Sequence, residues 1–415
     1  MLHYPLHCPL HHCATIHEVY WLCNEEHHHH RHHQSEDSNK DYPQSKPAIT
    51  IQPPPIFKHN ITQPNPTTPP NNHHHHHHQT HPAISYPTTT PPQPPEMPAQ
   101  KTLFLLGGSG YIGTQLLHLA TQPPHNFTTI RALSRTPQTD THLATHGATP
   151  IRGDLRSHST ITTESRAADA VICLATAYTF GQSASYDELG LPEDVAALDA
   201  IAAGLAGSNK PLALASGTLL YAPHPEGQET DETSPVDANP INTRSKTDAY
   251  VLALGERHGF RAMSVRLAPF VYGRGGSGLG AFMRQARGTG SFVTVGGGGK
   301  CTTTVHVDDA AGLFLLAVGR GGAGETFNAS AETRVTFSEM FGALAEVLGV
   351  RVVDLTEAEA REKLGEMVAR FLGTENRASG DKARRVLGWV PSGPGVLEDI
   401  RSGSYRELAR ELNGN

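Results

Sequence analysis

From residue 101 to the end of the chain, apolar runs of strand length alternate with stretches of helical period; the first hundred residues keep neither pattern. Residues 102–106, 128–133, 170–174, 212–215 and 262–267 are short apolar runs bounded by turn-forming or polar residues, which predicts buried strands. Helical spacing predicts a helix at 114–121, an amphipathic one at 337–348 and a closing helical stretch at 395–412. Strands that alternate with helices at these intervals predict βαβ units. The expected fold class is therefore α/β, with a doubly wound, mainly parallel sheet covered by helices on both faces.

Composition accounts for the silent start. Residues 1–100 hold 18 of the 31 prolines and 19 of the 27 histidines, so they cannot bury enough apolar surface to offset the entropy of ordering and are expected to be a disordered tail. Its histidines and Cys8, Cys13 and Cys23 supply zinc-type donors, but a homopolymeric histidine run lacks fixed paired spacing, and no metal site is expected. Cys173 and Cys301 stand apart in the body, which suits reduced thiols and a cytoplasmic setting. A net charge of −7 without a basic cluster recommends neither nucleic acid nor an anionic membrane surface, and no apolar run is long enough to span a bilayer. Chemistry on a small molecule remains.

The first strand runs into Gly107-Gly108-Ser109-Gly110-Tyr111-Ile112-Gly113 and then a helix. Gly107 allows a sharp turn, Gly110 removes a Cβ that would obstruct a pyrophosphate, and Gly113 lets the helix pack closely on the sheet; Ser109, Tyr111 and Ile112 complete a loop whose amides and positive helix end suit phosphate. The second strand ends at Ser134-Arg135, where a site selective for NAD(H) would carry an acid to accept from the ribose hydroxyls. A guanidinium there matches a 2′-phosphate, which points to NADP(H), with NAD(H) as the alternative nucleotide and a solvated surface arginine as the competing reading.

Glycines at 107, 110 and 113 resemble the TGxxGxxG of extended short-chain dehydrogenases/reductases, with Leu106 where that family often has threonine. The resemblance covers residues 101–415 and is nearest to an atypical branch of the NAD-dependent epimerase/dehydratase group, which implies a Rossmann sheet with a smaller C-terminal substrate lobe. It further implies that Asp154, with Leu155, meets the adenine, that Leu174-Ala175-Thr176 passes beneath the cofactor ribose, and that backbone around Pro269 meets the nicotinamide amide. A hydroxyl at the end of strand five, Ser216 or Thr218, is implied to bond a substrate carbonyl, while a Tyr-x-x-x-Lys pair on one face of the next helix transfers the proton. In Pro240-Ile241-Asn242-Thr243-Arg244-Ser245-Lys246, Lys246 is kept and Asn242 replaces the tyrosine. Asparagine does not titrate. Three readings stay open: another hydroxyl donates, with Tyr221, Thr218 or Tyr250 as candidates; a water relayed by Asn242 serves; or cofactor binds without turnover.

Farther on, Val305-His306-Val307-Asp308-Asp309 resembles a segment that ties the substrate lobe to the core, the second aspartate capping a helix, and a triad or metal reading of the same residues is the competing one. Arg274 and the glycines at 275–280 are expected to border the substrate pocket. The chain thus divides into a tail at 1–100, an NAD(P)-binding sheet domain at 101–266 and a substrate lobe at 267–415 to which loop 218–240 contributes. The expected activity is NADP(H)-dependent reduction of a carbonyl on a small or medium apolar metabolite. A non-catalytic NADP(H)-binding regulator is the alternative, and an epimerase or dehydratase is disfavoured by Arg135. The resemblance also allows a homodimer.

Overall fold

The computed structural model describes residues 102–178 and 186–414, so the tail and its zinc reading lie outside the described residues. Strand–helix units open the body: β1 (Thr102–Leu106) and α1 (Tyr111–Ala120), β2 (Thr129–Ser134) and α2 (Pro137–Thr145), β3 (Thr149–Arg152) and α3 (His158–Ala167), β4 (Ala170–Cys173) and α4 (Tyr186–Leu205), β5 (Pro211–Gly217) and α5 (Ser245–His258), then β6 (Arg261–Leu267). Next come β7 (Phe270–Tyr272), α6 (Ser277–Thr289), β8 (Ser291–Val295), β9 (Cys301–His306), α7 (Val307–Arg320), β10 (Glu325–Ala329), β11 (Glu332–Thr336), α8 (Phe337–Leu348) and β12 (Arg351–Leu355). Five helices close the described chain: α9 (Glu357–Leu364), α10 (Glu366–Gly373), α11 (Asp381–Leu387), α12 (Val396–Ser402) and α13 (Ser404–Leu412).

Seven strands form one parallel sheet in the order β10-β6-β5-β4-β1-β2-β3. Successive side chains of a strand point to opposite faces, and here both faces are covered, which is why the strands read as continuous apolar runs. Leu103 and Leu105 of β1 join the layer of α1 and α7, while Phe104 and Leu106 join that of α3, α4 and α5. Because β1 is paired with β2 on one side and β4 on the other, the order of connection reverses there. A crevice opens at such a reversal, outside the carboxyl ends of the strands.

The sheet does not stop at residue 266, where the sequence reading placed its boundary. Its edge strand is β10, in register with β6 from Glu325↔Met263 to Ala329↔Leu267, and α7 covers one face through Leu313, Phe314 and Val318. The chain thus returns to the sheet with α7 and β10 after a first excursion into the lobe. That lobe has its own core of Phe270, Phe292, Phe337, Phe341 and Phe371 with buried Tyr272 and Tyr405. Loop 218–240 reaches it through a Thr230–Ala378 bridge. Among the described residues no helix is long and apolar enough to cross a membrane.

Candidate functional site

The turn between β1 and α1 is as tight as its glycines imply. Gly107 has φ +90°, and a Cβ there would stand 2.9 Å from the Ala175 amide nitrogen; a Cβ on Gly113 would stand 2.2 Å from the Gly107 carbonyl oxygen. Gly110 is the N-cap of α1, no side chain caps the helix, and its first turn holds no acid. The helix end therefore offers amides and a positive dipole to an anion, as a dinucleotide pyrophosphate requires. The Tyr111 hydroxyl leaves this loop and donates to the Gly273 carbonyl at 2.7 Å, joining it to the lobe.

Arg135 follows β2, exposed, and its guanidinium has no hydrogen-bond or ion-pair partner among the described residues. Its neighbours differ: Arg152 is paired with Asp140 and Arg156 with Glu193. Asp154 is exposed, its Oδ1 accepting from the Arg156 amide at 3.0 Å and the Ser157 hydroxyl at 3.1 Å. The loop after β4 lies against the glycine turn, since the Leu174 and Ala175 amides both donate to the Leu106 carbonyl. Leu155, Ala175 and Thr176 line one small cavity together with Asp194, Ala215 and Arg244, so residues from three separate turns meet.

Asp194, on α4, escaped the sequence reading because nothing local marks it. It is buried and accepts from the Thr176 hydroxyl, the Ala177 amide and the Tyr186 hydroxyl, each at 2.6 Å. Asp194→Ala would leave three donors unanswered, so an unfolding free energy lower by about 3 kcal/mol is expected from urea denaturation.

At the end of β5 the candidates separate. Ser216 is buried, and its hydroxyl has no partner among the described residues. Thr218 is also buried, but its hydroxyl is turned to the Leu267 carbonyl at 3.3 Å and to Asn376 at 3.1 Å. The Tyr221 hydroxyl donates to Asp248, whose carboxylate also accepts from Arg266 Nε at 3.0 Å, and the Arg266 guanidinium lies 3.4 Å from the tyrosine ring centroid. Burial first, then Asp248, push the Tyr221 phenol well above its ordinary range. Tyr250 donates to Asp199 at 2.6 Å; burial and that carboxylate raise its phenol to about 12. Both phenols are held by carboxylates, which makes them poor proton donors to anything else.

Asn242 does not share a helical face with Lys246, contrary to the expectation from their spacing. The helix begins at Ser245, and Asn242 accepts from the Arg244 amide at 3.0 Å, a turn its short side chain favours over helix. Lys246 Nζ meets Asp187 at 2.8 Å, and the Thr243 hydroxyl meets the same carboxylate at 2.6 Å. Burial pushes Asp187 up, yet the bonds from Lys246 and Thr243 together hold it below its usual value. Arg244, unremarked in sequence, donates to the Ala215 carbonyl at 3.1 Å and keeps a buried Nε without a partner among the described residues. Pro269 is half-buried between β6 and β7.

His306, rather than Asp309, caps α7, its Nδ1 accepting from the Asp308 amide. Asp309 accepts instead from the Ser392 and Gly393 amides at 2.9 and 3.0 Å, fastening the C-terminal segment. Arg274 pairs with Asp308, and α6 already begins at Ser277, within the glycine segment expected to border the substrate pocket. A roomier cavity of about 500 Å³ lies elsewhere, among Tyr272, Glu332, Arg384 and Trp389. Glu332 is engaged there by Thr304 and the Val396 amide, and Arg384 by the Ala331 carbonyl.

A doubly wound parallel sheet, with an uncapped glycine turn beside the crevice where its strand order reverses, defines an α/β protein of the dinucleotide-binding kind. The chain belongs to the NAD dependent epimerase/dehydratase family, whose model matches residues 103–330. It is 28% identical over 304 residues to an uncharacterized protein of Schizosaccharomyces pombe, covering 73% of this chain and 99% of the relative. It is 27% identical over 317 residues to the 4-hydroxy-2-methyl-3-oxo-4-farnesyl-3,4-dihydroquinoline-1-oxide ketoreductase of Stigmatella aurantiaca, covering 69% and 91%. Among solved structures, a double mutant of dTDP-glucose 4,6-dehydratase DesIV of Streptomyces venezuelae with NAD bound superposes with TM-score 0.60 at 20% identity, covering 75% of this chain and 98% of that one. The human epimerase family protein SDR39U1 with NADPH gives 0.55 at 20%, covering 73% and 99%.

Proposed function

We propose that the protein is an NADP(H)-dependent oxidoreductase that reduces a carbonyl of a small or medium apolar metabolite. The observation that carries the reading is Arg135: an exposed guanidinium without a partner among the described residues, at the strand end where a carboxylate would favour NAD(H). The amides of the turn at 107–113 would face the pyrophosphate, Asp154 the adenine, and Leu174-Ala175-Thr176 the ribose. The nucleotide, when bound, supplies hydride. Lys246 would hold the nicotinamide ribose; its ion pair with Asp187 is half exposed on both sides, so exchanging it costs little. Ser216, with a buried and unanswered hydroxyl, suits a substrate carbonyl oxygen. The ketoreductase relative agrees with this chemistry.

NADPH absorbance followed against a panel of aldehydes and ketones tests the reading, with Lys246→Ala beside the unaltered chain. Turnover that falls by about 100-fold in the variant is the expected result, since general acid–base groups and their supports contribute on that order. Tight NADPH binding without turnover on any carbonyl would favour a regulator that binds nucleotide only, a reading to which Asn242 in place of tyrosine lends support.

A further inference from the structure

The structure places a phenol beside Asn242. Tyr178 follows the loop after β4, its amide donating at 3.1 Å to the Thr176 hydroxyl that Asp194 holds. Its ring lies edge-on to Tyr186 with centroids 5.6 Å apart, and the Arg244 guanidinium stands 5.8 Å from its centroid. The hydroxyl faces the Asn242 side chain and the Met367 thioether at 3.9 Å, a weak acceptor. Every other tyrosine among the described residues donates to a strong acceptor. Tyr186, Tyr221 and Tyr250 donate to Asp194, Asp248 and Asp199; Tyr111, Tyr272 and Tyr405 donate to the carbonyls of Gly273, Pro394 and Gly276.

We propose that Tyr178 is the proton donor of this site, its phenol occupying the corner between Asn242 and Arg244 in place of the tyrosine that the Lys246 motif lacks. The inference rests on the reductase reading above. As the carbonyl carbon accepts hydride from reduced nicotinamide, the carbon–oxygen π bond opens, the carbonyl oxygen takes the phenolic proton, and the phenolate regains a proton from solvent. Burial raises the Tyr178 phenol and keeps it protonated at neutral pH, while Asn242 and Arg244 pull it back toward ionisation, so the phenolate left after transfer has stabilising neighbours.

The test is a base titration of the full chain, followed by phenolate absorbance, with and without saturating NADP+. Oxidised nicotinamide is a cation and favours a neighbouring phenolate, so NADP+ should move one tyrosine's ionisation to lower pH by about one pH unit, and Tyr178→Phe should abolish that change. Arg244→Gln, which leaves the phenol in place, should move the same ionisation to higher pH. With any carbonyl that is turned over, Tyr178→Phe should lose about 100-fold in kcat while NADPH affinity stays within about threefold. An NADP+-dependent change that survives in Tyr178→Phe, its absence from protein that calorimetry shows to be loaded, or a Tyr178→Phe variant that retains its kcat overturns the proposal. Protein that binds neither NADP+ nor NADPH is a separate failure: it removes the cofactor reading and this inference with it.

Discussion

Arg135→Glu should weaken NADPH binding by about 1,000-fold and leave NADH affinity within about threefold of its starting value. A bidentate guanidinium–phosphate contact supplies charge-assisted bonds worth about 1.5–3 kcal/mol each, and a carboxylate in its place adds repulsion. Together these reach about 4 kcal/mol, or three factors of ten at about 1.4 kcal/mol each. NADH carries no 2′-phosphate and gains an acceptor for its ribose hydroxyls. Competitive calorimetry with the two nucleotides reads both effects. Equal losses for both would mean that Arg135 acts on the fold, and no loss for either would mean that it is a solvated surface residue.

Gly113→Val should abolish measurable binding of either nucleotide and lower the unfolding free energy by about 3 kcal/mol, because overpacking against backbone cannot relax. Its Cβ would stand 2.2 Å from the Gly107 carbonyl oxygen and 2.8 Å from Gly108 backbone, and neither is the movable end of a side chain. Gly312→Ala on α7 is the control: an added Cβ there meets nothing within 4 Å. That variant should be neutral or more stable by up to about 1 kcal/mol, since alanine is the better helix former. Urea denaturation and NADPH titration of the pair separate a requirement at one glycine from a general effect of replacing glycine.

The features legible in the sequence are those whose physics is local. An apolar run bounded by turn residues marks a strand wherever it ends up, so β1, β4, β5 and β6 were readable, and the amphipathic period at 337–348 coincides with α8. The glycine turn was readable because its conformation is written in missing side chains, and Arg135 because a strand end fixes its place. Orientation was not readable. Tyr221 and Tyr250 point to Asp248 and Asp199, carboxylates chosen by packing between elements, and no spacing in the chain announces either. Asp194, Arg244 and Tyr178 were passed over for the same reason: each draws its partners from other segments of the fold. The edge strand β10 escapes a sheet boundary drawn at 266 because its membership rests on pairing with β6 across a long intervening stretch of chain. Asn242 carried a readable signal that its spacing to Lys246 obscured, since a short polar side chain just before a helix favours a turn over a helical face.

The most direct test of the account is calorimetric titration of the full chain with NADPH and, separately, with NADH. Saturable NADPH binding at least about tenfold tighter than NADH, a difference of about 1.4 kcal/mol, is the predicted result. A folded protein that takes up neither nucleotide, or binds NADH as tightly as NADPH, would contradict it.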